Sequence, residues 1–169
     1  EGVYEFDGGV FADGKPGTIK ISGEQGRVTY LAADPEAPGP WPVKLHGKFG
    51  FLSAWAEIRG IEFISNGGKG FDGYPVSVFG SHTTFRSNYI HGLADHFNLP
   101  GVSYDCLKIS GYTYENSAPL TRTEGIQVID NEIGTCTEDC IDIAGPGRDF
   151  VYRRNHVYGC TKSIGIHVK

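Results

Sequence analysis

Carboxylates, lysines and a histidine recur at matched positions of short β-type runs in the second half of this chain. Asp105 precedes LKISG from Leu107, and Glu138 and Asp139 precede IDIAG from Ile141. Lys108, Asp142 and His167 each take the second position of a run, and Lys169 stands at the exit of the last. Carboxylates on neighbouring strands repel one another unless a cation or an ammonium group sits between them. Asp105, Asp139, Asp142 and Glu138 are therefore candidate ligands of Ca²⁺, a hard cation that prefers oxygen donors. Lys108, Lys169 and His167 are the basic groups beside them, with His167 a candidate for proton transfer. Arg153 is a candidate partner of a substrate carboxylate, although Arg153 and Arg154 beside Asn155 also read as a solvated turn. A plainer reading competes: solvent-facing strand positions carry Lys, Asp and Ser for solubility alone, as His46 does on the surface.

Such a stripe needs strands to hold it. Five runs align: VKLHG from Val43, VSVFG from Val76, LKISG from Leu107, IDIAG from Ile141 and IHVK from Ile166. Their alternation places Val43/Leu45, Val76/Val78, Leu107/Ile109, Ile141/Ile143 and Ile166/Val168 on a core side. The other side carries Lys44, Ser77, Lys108, Asp142 and His167 as an outward stripe.

A second column reads IRGIEF from Ile58, FRSNYI from Phe85, VIDNEI from Val128 and YRRNHV from Tyr152. It aligns Asn88, Asn131 and Asn155 with Ile61 at one turn position. A buried side-chain amide there can donate to one neighbour and accept from the other, satisfying backbone groups that a buried turn would orphan. Recurrence of two such columns without a 3.6-residue period predicts an all-β right-handed parallel β-helix, a solenoid with an asparagine ladder. Loop insertions at the turns, Leu93 to Tyr104 and Tyr112 to Glu124, would build the binding face. GVYEF, TIKIS and RVTYLAAD read as opening strands, and DPEAPGPWP as a surface loop.

The 169 residues, 39% apolar and 21% charged, fit one domain spanning 1–169. Methionine is absent and the last strand ends at Lys169 with no polar cap, so the expectation is a processed chain, part of a solenoid that continues or self-associates past that residue. A net charge of −5 argues against a nucleic-acid surface, and no apolar run is long enough for a membrane helix. Cys106 and Cys140 each precede a first-column strand, while Cys136 and Cys160 each follow a ladder asparagine. These two pairs are expected to stack in adjacent coils, either as disulfides of an exported protein or as reduced core residues.

The short strands, the turn asparagines and the segment EDCIDIAGPGRDFVYRRNHVYGC resemble the pectate-lyase-like superfamily of right-handed parallel β-helices over nearly the whole chain. That superfamily includes polysaccharide lyases, pectin hydrolases, epimerases and phage tailspike depolymerases. The resemblance implies a secreted or cell-surface protein acting on an acidic polysaccharide, with Ca²⁺ on Asp105, Asp139 and Asp142, and Glu138 in support. Lys108 or Lys169 would take the proton before β-elimination, and Arg148 or Arg153 would hold the substrate. Two other readings stay open: pectinase-type hydrolysis by the same aspartates, and a non-catalytic glycan-binding or structural β-helix.

Overall fold

A computed structural model of the chain describes residues 17–19, 29–32, 41, 43–51, 55–69, 73–78, 81–110, 123–145, 147–161 and 165–168. Within them the protein is all-β, apart from a short 3-10 turn at Ala94–Asn98. Three sheets hold nearly every strand. The first stacks β1 (Gly17–Ile19), β4 (Phe49–Phe51), β7 (Val76–Val78), β10 (Leu107–Ser110), β14 (Ile141–Ala144) and β18 (Ile166–Val168). The second stacks β2 (Thr29–Ala32), β5 (Ala56–Arg59), β8 (Thr83–Arg86), β12 (Gln127–Ile129) and β16 (Val151–Arg153). The third stacks β3 (Val43–His46), β6 (Ile61–Ile64), β9 (Tyr89–His91), β13 (Glu132–Gly134) and β17 (His156–Tyr158). A two-stranded pair joins β11 (Thr123–Glu124) to β15 (Gly147–Arg148).

Every pairing is parallel, and the chain visits the three sheets in rotation. A parallel pair needs a long crossover. Here the other two sheets supply it in place of helices. Each circuit thus lays like residues on like. Ile58, Phe85 and Val128 form one inward row, and Phe63, Ile90 and Ile133 another, all wholly buried. Burial of each such side chain contributes roughly 1.5–3 kcal/mol.

The corner between second and third sheets explains the asparagines. Gly60, Ser87, Asp130 and Arg154 take left-handed φ values of 72°, 53°, 57° and 55°, turning the chain at the same point of each circuit. The next residue faces inward, where water cannot reach its backbone. Asn131 Nδ2 donates to the Phe85 carbonyl at 2.9 Å and to Asn155 Oδ1 at 3.0 Å, while its Oδ1 accepts the Asn88 backbone N–H at 2.9 Å. Asn88 and Asn155 repeat the pattern toward Ile58 and Val128. Replacing Asn131 by Ala orphans these groups and is expected to cost about 2 kcal/mol. A urea midpoint unchanged from the parent would show that the ladder carries no stability.

Three expectations need correction. VKLHG does not continue the first column: it is β3 of the third sheet, pairing with β6, and FGF of β4 pairs with β7 instead. All three faces share one core and so demand the same alternation, which leaves the face of a run undefined. Ile166 and Val168 keep their register with Ile141 and Ile143 but are 44% and 69% exposed, because no described strand covers β18. The insertion from Leu93 also sends Tyr104 wholly into the core, where its hydroxyl meets His96 Nδ1 at 2.6 Å. The second insertion lies largely outside the described residues.

The cysteines pair differently too. Disulfides join Cys106 to Cys136 and Cys140 to Cys160, with Cα separations of 5.5 and 5.6 Å. Cys106 precedes β10 and Cys136 follows β13, the two ends of a single circuit; Cys140 and Cys160 close the next one in the same way. Cys106 and Cys140 do stack, as the Leu107–Ile141 register requires. Each nevertheless reaches across the corner within its own circuit rather than along the stack.

Candidate functional site

The outer face of the first sheet carries the row Gly50, Ser77, Lys108, Asp142 and His167 in exact register. Lys44, expected in this stripe, sits on the third sheet and pairs with Glu62 at 2.6 Å. The row is not solvated as a bland surface would be. Ser77 is 5%, Lys108 8% and Asp142 1% exposed. Buried charges must be paired, and these are. Lys108 Nζ forms an ion pair with Asp142 and approaches Asp105 Oδ2 at 3.6 Å, while lying 5.7 Å from the centre of the Tyr74 ring.

A second row lies two residues ahead of the strands: Tyr74 before β7, Asp105 before β10 and Asp139 before β14. Asp105 Oδ1 accepts the backbone N–H of Asp139 at 3.0 Å. Asp139 Oδ2 faces His167 Nδ1 at 2.9 Å. Glu138 accepts the Ser103 hydroxyl and donates its backbone N–H to the Tyr104 carbonyl at 3.0 Å. Burial pushes the Asp105 carboxyl above its ordinary value, against the pull of Lys108 and of the Asp139 N–H, and the charges of Asp139 and Glu138 add to the rise. Burial, then the charges of Asp105 and Glu138, lift the Tyr74 phenol far above its usual range. The site is a negative field around one ammonium.

Asp105 makes the stability of the fold depend on pH. Its carboxyl loses a proton later in the folded than in the unfolded chain. Its ionisation therefore erodes stability as pH rises from about 4 through the raised folded value. Asp105→Asn is expected to flatten that decline in urea midpoints measured against pH. An undiminished decline would place its origin elsewhere.

Asp105, Asp139, Asp142, Lys108 and His167 thus come together, with Glu138 at the rim. Lys169 lies outside the described residues. Arg148, on β15, is held by Glu124 at 2.5 Å and lies 3.4 Å from Asp149. Arg153 is exposed on the outer face of the second sheet, in the row of Arg59 and Arg86. Neither arginine shares the face of the cluster. Tyr74 is not among the site residues expected above, although its offset from Val76 equals that of Asp105 from Leu107.

The donor set fits Ca²⁺ poorly. That ion takes six to eight oxygens, but one oxygen each of Asp105 and Asp142 faces the Lys108 ammonium and one of Glu138 the Ser103 hydroxyl, which leaves too few for such a shell. Among the described residues, the group whose ligand atoms lie within 4.8 Å of one another is Asp139, Asp142 and His167, which includes an imidazole.

The third sheet bears a separate polar cluster. Glu62 meets Lys44 at 2.6 Å and His91 Nε2 at 3.1 Å. Burial raises its carboxyl, but the hydrogen bonds from Lys44 and His91 more than offset this, leaving it lowered. Tyr89 stacks on His91 with ring centres 4.0 Å apart, and its hydroxyl meets that of Tyr158 at 3.1 Å.

No protein-family model, curated protein or solved structure matches the chain.

Proposed function

We propose that the chain is a right-handed parallel β-helix of the pectate-lyase-like kind, secreted or displayed at a cell surface, and that its first-sheet cluster cleaves uronate-containing glycans. Rotation of the chain through three parallel sheets and the asparagine ladder support the β-helix. Two disulfides fit export to an oxidising compartment. The observation carrying the activity is the convergence of three buried aspartates, a buried lysine and a half-exposed histidine on adjacent strands.

Glycoside hydrolysis needs one carboxyl that keeps its proton and a second that has lost it. Asp105, raised by burial and by its acidic neighbours, suits the acid. Asp139, facing an imidazole, suits the base. Lys108 is paired with Asp142 and lies 3.6 Å from Asp105, a poor situation for a lysine that must itself accept a proton.

Elimination is the second reading, and His167 favours it. An ionised Asp139 can only accept, so a neutral imidazole carries its proton on Nδ1 and leaves Nε2 bare. That nitrogen is a base on a side chain 32% exposed, well suited to removing the proton α to a uronate carboxylate. Calcium assistance, as the resemblance has it, would need the Asp105 and Asp142 oxygens that now face Lys108 as well as those that do not.

Incubation with polygalacturonate, alginate and glycosaminoglycans separates these chemistries. New reducing ends without ultraviolet absorbance are expected, and should fall on the order of 100-fold in Asp105→Asn. Absorbance from an unsaturated uronate, lost in His167→Ala, would establish elimination instead. No new ends on any polymer would leave a glycan-binding or structural β-helix.

A further inference from the structure

We infer that Asp139, Asp142 and His167 form a binding site for a first-row transition-metal dication of the Zn²⁺ class, rather than for Ca²⁺. Three features argue for it. Geometry is the first: Asp142 and His167 are register partners across β14 and β18, and Asp139 enters β14 two residues earlier. Their ligand atoms lie within 4.8 Å of one another, and Asp139 and His167 already stand 2.9 Å apart. Ligands about 2.0–2.2 Å from one Zn²⁺ lie roughly 3–3.5 Å from each other. A contraction from within 4.8 Å to that spacing would close the trio on one ion.

Charge is the second feature. Asp105, Glu138, Asp139 and Asp142 share one cluster in which Lys108 is the fixed cation, and three of these carboxylates are nearly fully buried. Lys108 stands between Asp105 and Asp142, so the remaining negative charge concentrates around Asp139. A dication there offsets charge that burial makes costly. Donor type is the third. Imidazole nitrogen with two carboxylate oxygens suits Zn²⁺ or Mn²⁺ and leaves a coordination position open, whereas Ca²⁺ would gain nothing from the nitrogen. His167 at the rim, 32% exposed, is the way in; Asp139 and Asp142, at 4% and 1%, are the floor.

The site stands on these residues alone and holds whichever glycan chemistry the cluster performs. If Asp139 is the hydrolytic base, a metal on it blocks the reaction, so added Zn²⁺ should inhibit cleavage; that corollary alone rests on the proposed function.

The test is a Co²⁺ titration of the intact, disulfide-bonded protein followed by visible ligand-field absorption, with Zn²⁺ and Ca²⁺ as competitors. One equivalent of Co²⁺ is expected to bind and to be displaced by Zn²⁺ but not by an equal concentration of Ca²⁺. His167→Ala should weaken binding by on the order of 10- to 100-fold. His156→Ala, an exposed imidazole on the third sheet, should leave it unchanged. His167 lies half-exposed on β18, and circular dichroism together with Asp139→Asn as a second ligand variant guards against misfolding as the cause. Absence of Co²⁺ absorption, absorption unaltered by both ligand variants, or displacement by equimolar Ca²⁺ would overturn the inference. Co²⁺ bound through His167 in a protein that cleaves no glycan would sustain it while sinking the proposed activity.

Discussion

Lys108→Met should lower the unfolding free energy at neutral pH by about 3–5 kcal/mol, the range for breaking a buried ion pair from one side. Lys108 is 8% exposed and stands between Asp142 and Asp105, themselves 1% and 3% exposed. Methionine fills much of the same volume, so packing loss is small and the cost is electrostatic: two carboxylates stay in a low-dielectric environment without the ammonium between them. Two further signatures separate this from ordinary core damage. The deficit should shrink as pH falls and the carboxylates protonate. The double variant Lys108→Met with Asp142→Leu, which removes both members of the closest pair, should recover a large part of the loss. Urea unfolding across pH measures all three, and a deficit that is independent of pH would show that Lys108 matters by its shape instead of its charge.

Removing a disulfide should have an effect of similar size. Cys106 and Cys136 are 30 residues apart in sequence and Cys140 and Cys160 are 20 apart. Loop-closure entropy assigns these bridges about 3.6 and about 3.3 kcal/mol. The larger deficit is expected for Cys106→Ala with Cys136→Ala. The two bridges lie side by side at one corner, so removing both should depart from additivity. Pairing itself is checked without mutation. Cleavage after Glu138 separates Cys136 from Cys140, and a non-reduced peptide map should link each to the cysteine of its own circuit. A fragment joining Cys106 to Cys140 would refute the arrangement.

These effects bear on function because both features brace the same place. Cys106 follows Asp105 directly, and Cys140 lies between Asp139 and the strand that carries Asp142. Their backbone groups interlock: Cys106 donates its N–H to the Asp139 carbonyl, and Leu107 to that of Cys140, each at 3.0 Å. The bridges anchor the entry to the strands whose side chains form the cluster, holding the carboxylates without demanding compensation from their own hydrogen bonds.

The repeat was legible in the amino-acid sequence. Matching LKIS, IDIA and IHV, or aligning Asn88, Asn131 and Asn155, requires only that stacked circuits repeat their inward residues, and the observed register reproduces both alignments. From that register alone, Lys108, Asp142 and His167 had to be neighbours on one face, with Asp105 and Asp139 close by. Three matters were beyond it. Which sheet takes VKLHG depends on where the chain turns at Gly47, whose φ of 122° favours glycine, and an alternating pattern serves every face equally. Which cysteines join depends on directions across a corner, whereas spacing reports only position along the stack. Whether outward residues meet water depends on what lies over the sheet, since strand alternation defines only the side from which a residue leaves it. Burial turned the Lys108 row from a solvated stripe into a charged cluster, and only folding in three dimensions could do so.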